Sequence, residues 1–224
     1  MDTQLEQSLT SKTTGAVLHG AARYDFLVSL FTLGRERVFR EKLVRLARLK
    51  PGESVLDVGC GTGTLALAAK RCVGAMGTVY GIDASPEMIA RADKKARKAG
   101  LELVFQNGAA QALPFPDAQF DAVLATMMLH HLPSGAREQL AGEMRRVLKP
   151  DGRVLAVDFG GSERGKKTLL ARFHRHGHVA LPKIIAVLSD AGLTSVESGA
   201  VGFRDLQFVL ATARSDSERG RQGS

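Results

Sequence analysis

A glycine-rich turn between an apolar strand and a helix is the strongest chemical signal in the sequence. The run Val55–Val58 leads into Gly59–Gly63, and a helix is predicted to begin near Thr64. Glycine lets a backbone approach a ligand closely, and a helix N-terminus favours negative charge. About twenty residues further on, a second strand-like run, Thr78–Asp83, ends in a carboxylate that can accept hydrogen bonds from ribose hydroxyls. Turn and carboxylate together predict a nucleoside-binding crevice.

The spacing of the glycines and the residue before them narrow the ligand. The glycines follow the pattern G-x-G-x-G, and Thr64 stands where the dinucleotide fingerprint G-x-G-x-x-G has its third glycine. The turn therefore fits the pyrophosphate of a dinucleotide less well than the dinucleotide fingerprint does. Asp57 can meet an ammonium group directly or through water, which suits a ligand that carries an amino acid. The predicted cofactor is S-adenosyl-L-methionine, with S-adenosyl-L-homocysteine as its product.

Strand-like and helix-length segments alternate along most of the chain. The predicted strands are Ser54–Val58, Thr78–Asp83, Leu101–Gln106, Phe120–Thr126, Arg153–Phe159, Ser195–Gly199 and Gln207–Ala213, and the predicted helices between them are Leu65–Cys72, Pro86–Ala99, Ala136–Leu148 and Leu181–Ala191. This order predicts an α/β fold: a single Rossmann-like domain with a mostly parallel seven-stranded sheet and helices on both faces. We expect an N-terminal helical cap over residues 1–50, with helices near Arg23–Leu33 and Arg35–Leu49. The domain is expected to span 51–213, with a lid insertion after the fifth strand, and 214–224 is expected to be a disordered tail.

Composition and charge limit the class of protein. Of the 224 residues, 44% are hydrophobic and 24% are charged, which excludes disorder of the whole chain. No apolar run reaches the roughly 18 residues of a membrane span, and Met1–Gln7 has no secretory pattern. Cys60 and Cys72 lack pairing or zinc spacing, so we expect a cytoplasmic protein. The net charge of +8 makes nucleic acid, anionic lipid or an anionic small molecule possible partners, although tryptophan is absent and tyrosines are only two.

Four segments resemble the motifs of class I S-adenosylmethionine-dependent methyltransferases. They are Asp57–Gly63, Gly81–Ser85, Gly108–Asp121 and Arg146–Phe159, and the similarity covers about residues 55 to 160. Within that superfamily, Leu113–Asp117 with Phe120-Asp121, and Leu129–Leu132, resemble the branch of the ubiquinone/menaquinone C-methyltransferases and related small-molecule methyltransferases. Tyr24-Asp25 stands where the quinone enzymes have the same pair.

The sequence also departs from the quinone signature. That signature continues after Tyr-Asp with Met, Asn, His and Trp, where this chain has Leu27, Val28, Glu36 and Phe39. Near the fifth strand its Glu and Ser are replaced by Asp158 and Gly160. The resemblance therefore points to the branch rather than to a quinone acceptor.

The resemblance implies which residues bind the cofactor. Glycines of the turn line the methionine side, Asp83 holds the ribose, and Ala84 and Met88 pack near the adenine. The full predicted set is Asp57, Gly59, Cys60, Gly61, Gly63, Asp83, Ala84, Met88, Gly108, Ala109 and Thr126. The branch usually has Asp at position 109, where it meets the adenine amino group. Ala109 cannot do so, and backbone groups, water, Asn107 or Gln111 are left for that contact.

Three residues are candidates for catalysis. His130 and His131 follow the fourth strand, and a histidine suits general base catalysis near neutral pH. Adjacent residues point in different directions, so at most one is expected to face the substrate. Simple packing of both is the alternative. The resemblance places Tyr24 near the transferring methyl group.

The stretch after the fifth strand is rich in basic residues. Arg172 and Arg175 lie among His174, His176 and His178, with no Cys, Asp or Glu between them, so no metal is expected. We expect a cover over the acceptor pocket in which Arg172 and Arg175 contact an anionic substrate or an anionic membrane surface. A solvated connection is the alternative reading.

Three functions remain compatible with the sequence. A methyltransferase acting on carbon, oxygen or nitrogen of a small-molecule or lipid-like acceptor is favoured. A nucleic-acid methyltransferase is suggested by the charge, but no Asn-Pro-Pro-Tyr-type motif or appended RNA-binding domain is found. The third is a cofactor-binding protein without catalysis.

Overall fold

Seven strands and their flanking helices carry the glycine turn in the computed structural model, which describes residues 35–160 and 179–213. In chain order the elements are α1 Glu36–Leu46, β1 Ser54–Val58, α2 Thr64–Val73, β2 Thr78–Asp83, α3 Pro86–Ala99, β3 Val104–Asn107, β4 Phe120–Thr126, a 3-10 helix Leu129–His131, α4 Ser134–Val147, β5 Leu148–Phe159, α5 Leu181–Asp190, β6 Leu193–Ala200 and β7 Leu206–Ala213.

The strands form one sheet in the order β3-β2-β1-β4-β5-β7-β6. Strands β1 to β5 pair in parallel, whereas β7 runs antiparallel to β5 and β6. The predicted α/β class and mostly parallel seven-stranded sheet are confirmed. Strand β2 lies on one side of β1 and β4 lies on the other, so the order of the strands reverses at β1. A crevice opens at such a point, between the carboxyl ends of β1 and β4.

The sheet is covered on both faces, which explains its long apolar strands. Neighbouring residues of β1 enter separate cores: Val55 packs with Phe39 and Leu43 of α1 and with residues of α2, and Leu56 packs with residues of α4 and α5. A strand buried on both faces reads as a continuous apolar run rather than as an alternation. Helix α1 thus shares a core with β1 and α2.

Several element boundaries differ from the sequence expectation. Strand β5 begins at Leu148, which was expected to end a helix, because Phe120 of β4 pairs with Leu148 before the register shifts. Strand β3 is shorter and later than expected, at Val104–Asn107. The expected helix Arg23–Leu33 lies outside the described residues.

Arg146 at the end of α4 fastens the loop that leads from β3 to β4. Its guanidinium donates to the carbonyl oxygens of Leu113 and Phe115 at 2.9 and 2.8 Å, and it pairs with Asp117 and Glu143, both at 2.8 Å. Bidentate contacts of arginine fix geometry as well as contribute energy. Arg146 therefore holds the loop against the sheet edge.

We expect Arg146→Ala to lower the free energy of unfolding by about 2 to 3 kcal/mol, because two backbone carbonyls and two carboxylates lose their donor. The matched control is Arg37→Ala, which breaks the exposed pair with Glu41 on α1 and is expected to leave the free energy of unfolding nearly unchanged. Urea denaturation of both variants provides the measurement. Equal losses would contradict the role assigned to Arg146.

Candidate functional site

The glycine turn after β1 requires glycine for both conformation and packing. Gly59, Gly61 and Gly63 have φ of 67°, 53° and 75°, a region that side chains with a Cβ rarely adopt. A Cβ on Gly59 would lie 2.9 Å from Cβ of Met128, and one on Gly63 would lie 2.8 Å from Cζ of Phe105. The turn is therefore pressed between the β3 side of the sheet and the segment after β4.

The backbone amides of this turn are already used inside the protein. The acceptors are Ile82 O for Gly59 N and Cys60 N, the Asp83 carboxylate for Gly61 N, and Cys60 O for Gly63 N. The sequence predicts that these amides approach a ligand, but in the structure the four amides named are hydrogen-bonded inside the protein. Their internal bonds explain why the turn shapes the crevice by close approach of its backbone instead of acting as a phosphate cradle. The Cys60 side chain is buried as well, which raises the pKa of its thiol.

Asp83 at the end of β2 is held in one orientation by two backbone amides. Its Oδ2 accepts from Gly61 N and its Oδ1 from Ser85 N, both at 2.9 Å. Each oxygen keeps a further lone pair, and the side chain is only partly exposed. Burial raises the pKa of this carboxyl. The arrangement suits a carboxylate that accepts paired hydrogen bonds from a ribose.

A buried carboxylate and a buried guanidinium face a small pocket beside the turn. Asp57 in β1 is 1% exposed and Arg40 in α1 is 6% exposed. Ala66 N donates to the Asp57 carboxylate, and Arg40 donates weakly to Glu36 at 3.5 Å. Yet neither Asp57 Oδ2 nor Arg40 Nε finds a hydrogen-bond partner within residues 35–160 and 179–213. The lining of the pocket includes both side chains and Thr126.

The unpartnered atoms indicate what the pocket can bind. An unpaired buried polar atom costs free energy until a ligand satisfies it. Asp57 Oδ2 can accept from an ammonium, and Arg40 Nε can donate to a carboxylate. The two groups together match the α-amino-acid zwitterion at one end of S-adenosylmethionine. Sequence reasoning missed Arg40, although a charged residue within the apolar stripe of Phe39, Leu43 and Val44 was a signal for it.

The predicted adenine side lies beside the β2 and β3 strand ends. Met88 is buried at the start of α3, where its backbone amide donates to Ser85 Oγ at 3.4 Å. Ala109 is buried, and a Cβ on Gly108 would lie 2.9 Å from Cδ1 of Ile82. The Asn107 side-chain amide donates to the Asp83 carbonyl, so that part of Asn107 is engaged. Ala84 is half-buried next to Asp83.

The chain leaves β4 through a strained residue into the 3-10 helix that carries both histidines. Met127 has φ of 53°, and its amide donates to Val157 O at 2.7 Å. Non-glycine residues in this conformation are uncommon and concentrate at functional sites. The ring centroids of His130 and His131 are 3.9 Å apart, so the expectation that the adjacent rings diverge is wrong. The tight turn places them together, unlike an extended strand.

His130 is bound by a buried carboxylate that sequence reasoning did not select as a site residue. Its Nδ1 lies 2.7 Å from Oδ1 of Asp158, which is fully buried near the end of β5. Tyr24, Arg172 and Arg175 lie outside the described residues and remain predictions. Of the predicted cofactor residues, all lie at the carboxyl ends of β1, β2, β3 and β4 or in the segments that follow them.

Neither a metal-binding cluster nor a membrane-spanning helix is found in residues 35–160 and 179–213. No group of three or more His, Cys, Asp or Glu side chains there is placed to hold a metal ion. Among these same residues, no helix has the length and apolarity to cross a bilayer.

Comparisons with known proteins match the same region. A family model for a methyltransferase domain matches residues 55–152. The chain is 36% identical over 157 residues to the demethylmenaquinone methyltransferase of Lactobacillus johnsonii, covering 67% of this chain and 64% of that protein. It is 39% identical over 155 residues to the Thermus thermophilus protein of the same name, covering 69% of each. The chain thus spans about two thirds of the length of these relatives.

Solved structures share the fold over a longer stretch. A SAM-dependent methyltransferase from Aquifex aeolicus superposes with a TM-score of 0.70 at 25% identity, covering 88% of this chain and all of that one. The superposed region is longer than the 98 residues of the family match.

We expect Asp83→Ala to weaken S-adenosylmethionine binding by roughly thirty- to a hundredfold, about 2 to 3 kcal/mol, because paired ribose hydrogen bonds are lost. Titration calorimetry provides the measurement. Asp121→Asn is the control, since Asp121 accepts from Ser54 N and Lys149 at the opposite end of the sheet. Unchanged affinity in Asp83→Ala would count against the ribose assignment.

We expect S-adenosylmethionine binding to release protons and to strengthen between about pH 6 and pH 7. Burial raises the pKa of Asp57 to about 7, with Arg40 lowering it and Asp83 raising it in smaller measure. A bound ammonium favours the ionised carboxylate, so binding removes the proton that Asp57 carries below its pKa. Calorimetry in buffers of different ionisation enthalpy measures this release. Asp57→Asn is expected to abolish it, and proton release that persists in that variant would exclude Asp57 as its source.

Proposed function

Because the chain belongs to the family of S-adenosylmethionine-dependent methyltransferases, we propose that it binds S-adenosylmethionine at the glycine turn and transfers the methyl group to a small-molecule acceptor. The observation that carries this proposal is the buried pair of Asp57 and Arg40, each with an unpartnered polar atom at the same pocket. A dinucleotide has no ammonium group to pair with Asp57, and its pyrophosphate would repel this carboxylate when ionised.

The chain's own residues bind and orient the cofactor. Arg40 holds the carboxylate and Asp57 the ammonium of the amino-acid end, and Asp83 accepts from the ribose. The adenine side is formed by Ala84, Met88, Gly108 and Ala109. Ala109 contributes van der Waals contact there but has no carboxylate for the adenine amino group. Cys60 contributes backbone only, since its thiol is buried. Bound there, S-adenosylmethionine supplies a methyl group on a sulfonium, and the protein supplies alignment and exclusion of water.

The acceptor is a small, lipid-like molecule with an electron-rich ring, a class that includes the quinols but is not limited to them, because the sequence departs from the quinone signature at Leu27, Val28, Glu36 and Phe39. Support comes from relatives at 36 to 39% identity, whose names describe methylation of demethylmenaquinone and of a phytyl-naphthoquinone. His130 and His131 at the end of β4 are the candidates for taking a proton from this acceptor. Tyr24, Arg172 and Arg175 complete the acceptor side. The protein acts in the cytoplasm, a location supported by the two free thiols of Cys60 and Cys72.

We expect Arg40→Leu to weaken S-adenosylmethionine binding at least tenfold but to leave the binding of methylthioadenosine within about threefold, because methylthioadenosine lacks the amino-acid end. Titration calorimetry with both ligands is the measurement. Arg37→Leu is the matched control on the same helix, because its side chain is 91% exposed. Equal losses for the two ligands would show that Arg40 acts on folding and not on the zwitterion.

Transfer itself is tested with methyl-labelled S-adenosylmethionine and a reduced 1,4-naphthoquinone that carries an isoprenoid chain. Label in the extracted naphthoquinol is the expected result. Bulk tRNA in a parallel reaction tests the nucleic-acid alternative. If the protein binds S-adenosylmethionine but transfers label to no molecule in a host metabolite extract, it is a cofactor-binding protein without catalysis, and the proposed methyl transfer is wrong.

A further inference from the structure

The buried carboxylate of Asp158 receives three donors, and two of them belong to one histidine. Oδ1 accepts from Phe159 N at 2.7 Å and contacts His130 Nδ1 at 2.7 Å. Oδ2 accepts from His130 N at 3.0 Å. The Asp158 side chain is 0% exposed and the His130 side chain is 10% exposed. Both the backbone and the ring of His130 are thus fastened to a single group.

This pattern determines which ring nitrogen of His130 carries the hydrogen. The two backbone amides can only donate, so both oxygens of Asp158 act as acceptors. An ionised carboxylate has no hydrogen to offer, and Nδ1 must therefore be the donor in the 2.7 Å contact. In neutral His130 the lone pair then lies on Nε2. A ring held this way can act as a base through Nε2, which lies on the side of the ring away from Asp158.

The surroundings of the ring hold it in place. His131 on the same 3-10 helix lies against it, and the Phe159 ring meets it edge-on at 5.3 Å between centroids. From α4, Arg137 donates to the carbonyl of Leu132 at 2.7 Å and closes the end of the 3-10 helix. His131, Asp158 and Arg137 are the titratable or charged groups identified around His130 in the described ranges.

The same segment adjoins the predicted cofactor crevice. Thr126 and Met127, just before the 3-10 helix, line the pocket of Asp57 and Arg40. Met128 packs so closely on the turn that a Cβ on Gly59 would lie 2.9 Å from its Cβ. His130 follows two residues later. The base is therefore carried by the same segment that lines this pocket and contacts the glycine turn.

We propose that Asp158 is a positioning residue that holds His130 in its Nδ1–H form, so that Nε2 accepts the proton of the methyl acceptor; this rests on the proposed function. His130 takes the proton, and the electron pair left on the acceptor forms the bond to the methyl carbon as the carbon–sulfur bond of the sulfonium breaks toward sulfur. Asp158 stabilises the imidazolium that results. Of the two adjacent histidines, His130 is the base, and His131 packs against it.

The first test reads the ring directly and requires no acceptor. Nitrogen-15 spectra of histidine-labelled full chain report which ring nitrogen carries hydrogen, and the loss of one signal in His130→Gln assigns His130 among the six histidines. We expect Nδ1–H in the neutral wild-type ring. In Asp158→Asn an amide cannot accept from all three donors, and we expect the Nε2–H form to grow. A wild-type ring with Nε2–H overturns the proposal even if the Asp158 variant fails to fold.

The second test is a double-variant cycle in methyl transfer to the isoprenoid naphthoquinol probe. We expect His130→Gln and Asp158→Asn each to lower kcat on the order of a hundredfold or more, with the dissociation constant for S-adenosylmethionine changed less than about threefold. Because Asp158 acts through His130, the double variant should be no more than about threefold slower than His130→Gln. Asp121→Asn is the control carboxylate at the opposite end of β4 and should keep kcat.

The outcomes separate this proposal from the proposed function. Multiplying losses in the double variant, or a loss of cofactor affinity as large as the loss of kcat, would make Asp158 a structural residue. A wild type that binds no S-adenosylmethionine defeats the proposed function, and one that binds it but leaves the probe unmethylated defeats the proposed acceptor. In both cases the nitrogen-15 measurement still decides whether Asp158 sets the His130 ring.

Discussion

Strand β1 lies between β2 and β4, and the chain crosses the sheet in opposite directions from it. Because parallel strands align their carboxyl ends, this topology forces the ends of β1, β2 and β4 to share one edge. Asp57 pairs in register with Gly81 on one side and Leu124 on the other, two residues before Asp83 and Thr126, respectively. The glycine turn, the Asp83 carboxylate and the histidine segment are close in space for this one reason.

At that edge two ionisable side chains, those of Asp57 and Arg40, are buried at a cost to stability. Asp57 and Arg40 are almost fully buried, and Asp57 Oδ2 and Arg40 Nε have no hydrogen-bond partner among the described residues. An incomplete buried pair costs stability, since desolvation is only partly offset. A zwitterionic ligand completes both partners, so part of the ligand's binding free energy comes from relieving a cost that folding leaves in place.

Asp158 illustrates the opposite case, a buried charge that is satisfied by the protein itself. Its oxygens receive two backbone amides and a ring nitrogen, so the carboxylate is stable at the core edge and its partner ring is immobilised. The unsatisfied carboxylate of Asp57 on β1 and the satisfied carboxylate of Asp158 on β5 thus lie in the same sheet, with β4 between their strands. Asp57 keeps one oxygen without a partner among the described residues, whereas Asp158 fixes the ring of His130.

The sequence by itself determined the order and type of most elements, the parallel sheet and the family, because apolar runs and the glycine turn report local conformation. It also predicted Asp57 and Asp83 as cofactor-binding residues, because both stand at fixed distances from that turn along the chain. The placement of Arg40 beside Asp57 and of Asp158 beside His130 emerged only from the tertiary structure, because these residues are 17 and 28 positions apart in the chain. The close contact between the tilted rings of His130 and His131 and the internal hydrogen bonds of the turn's amides also depended on tertiary packing. Such contacts are set by how separate elements meet in space, which no local pattern of residues encodes.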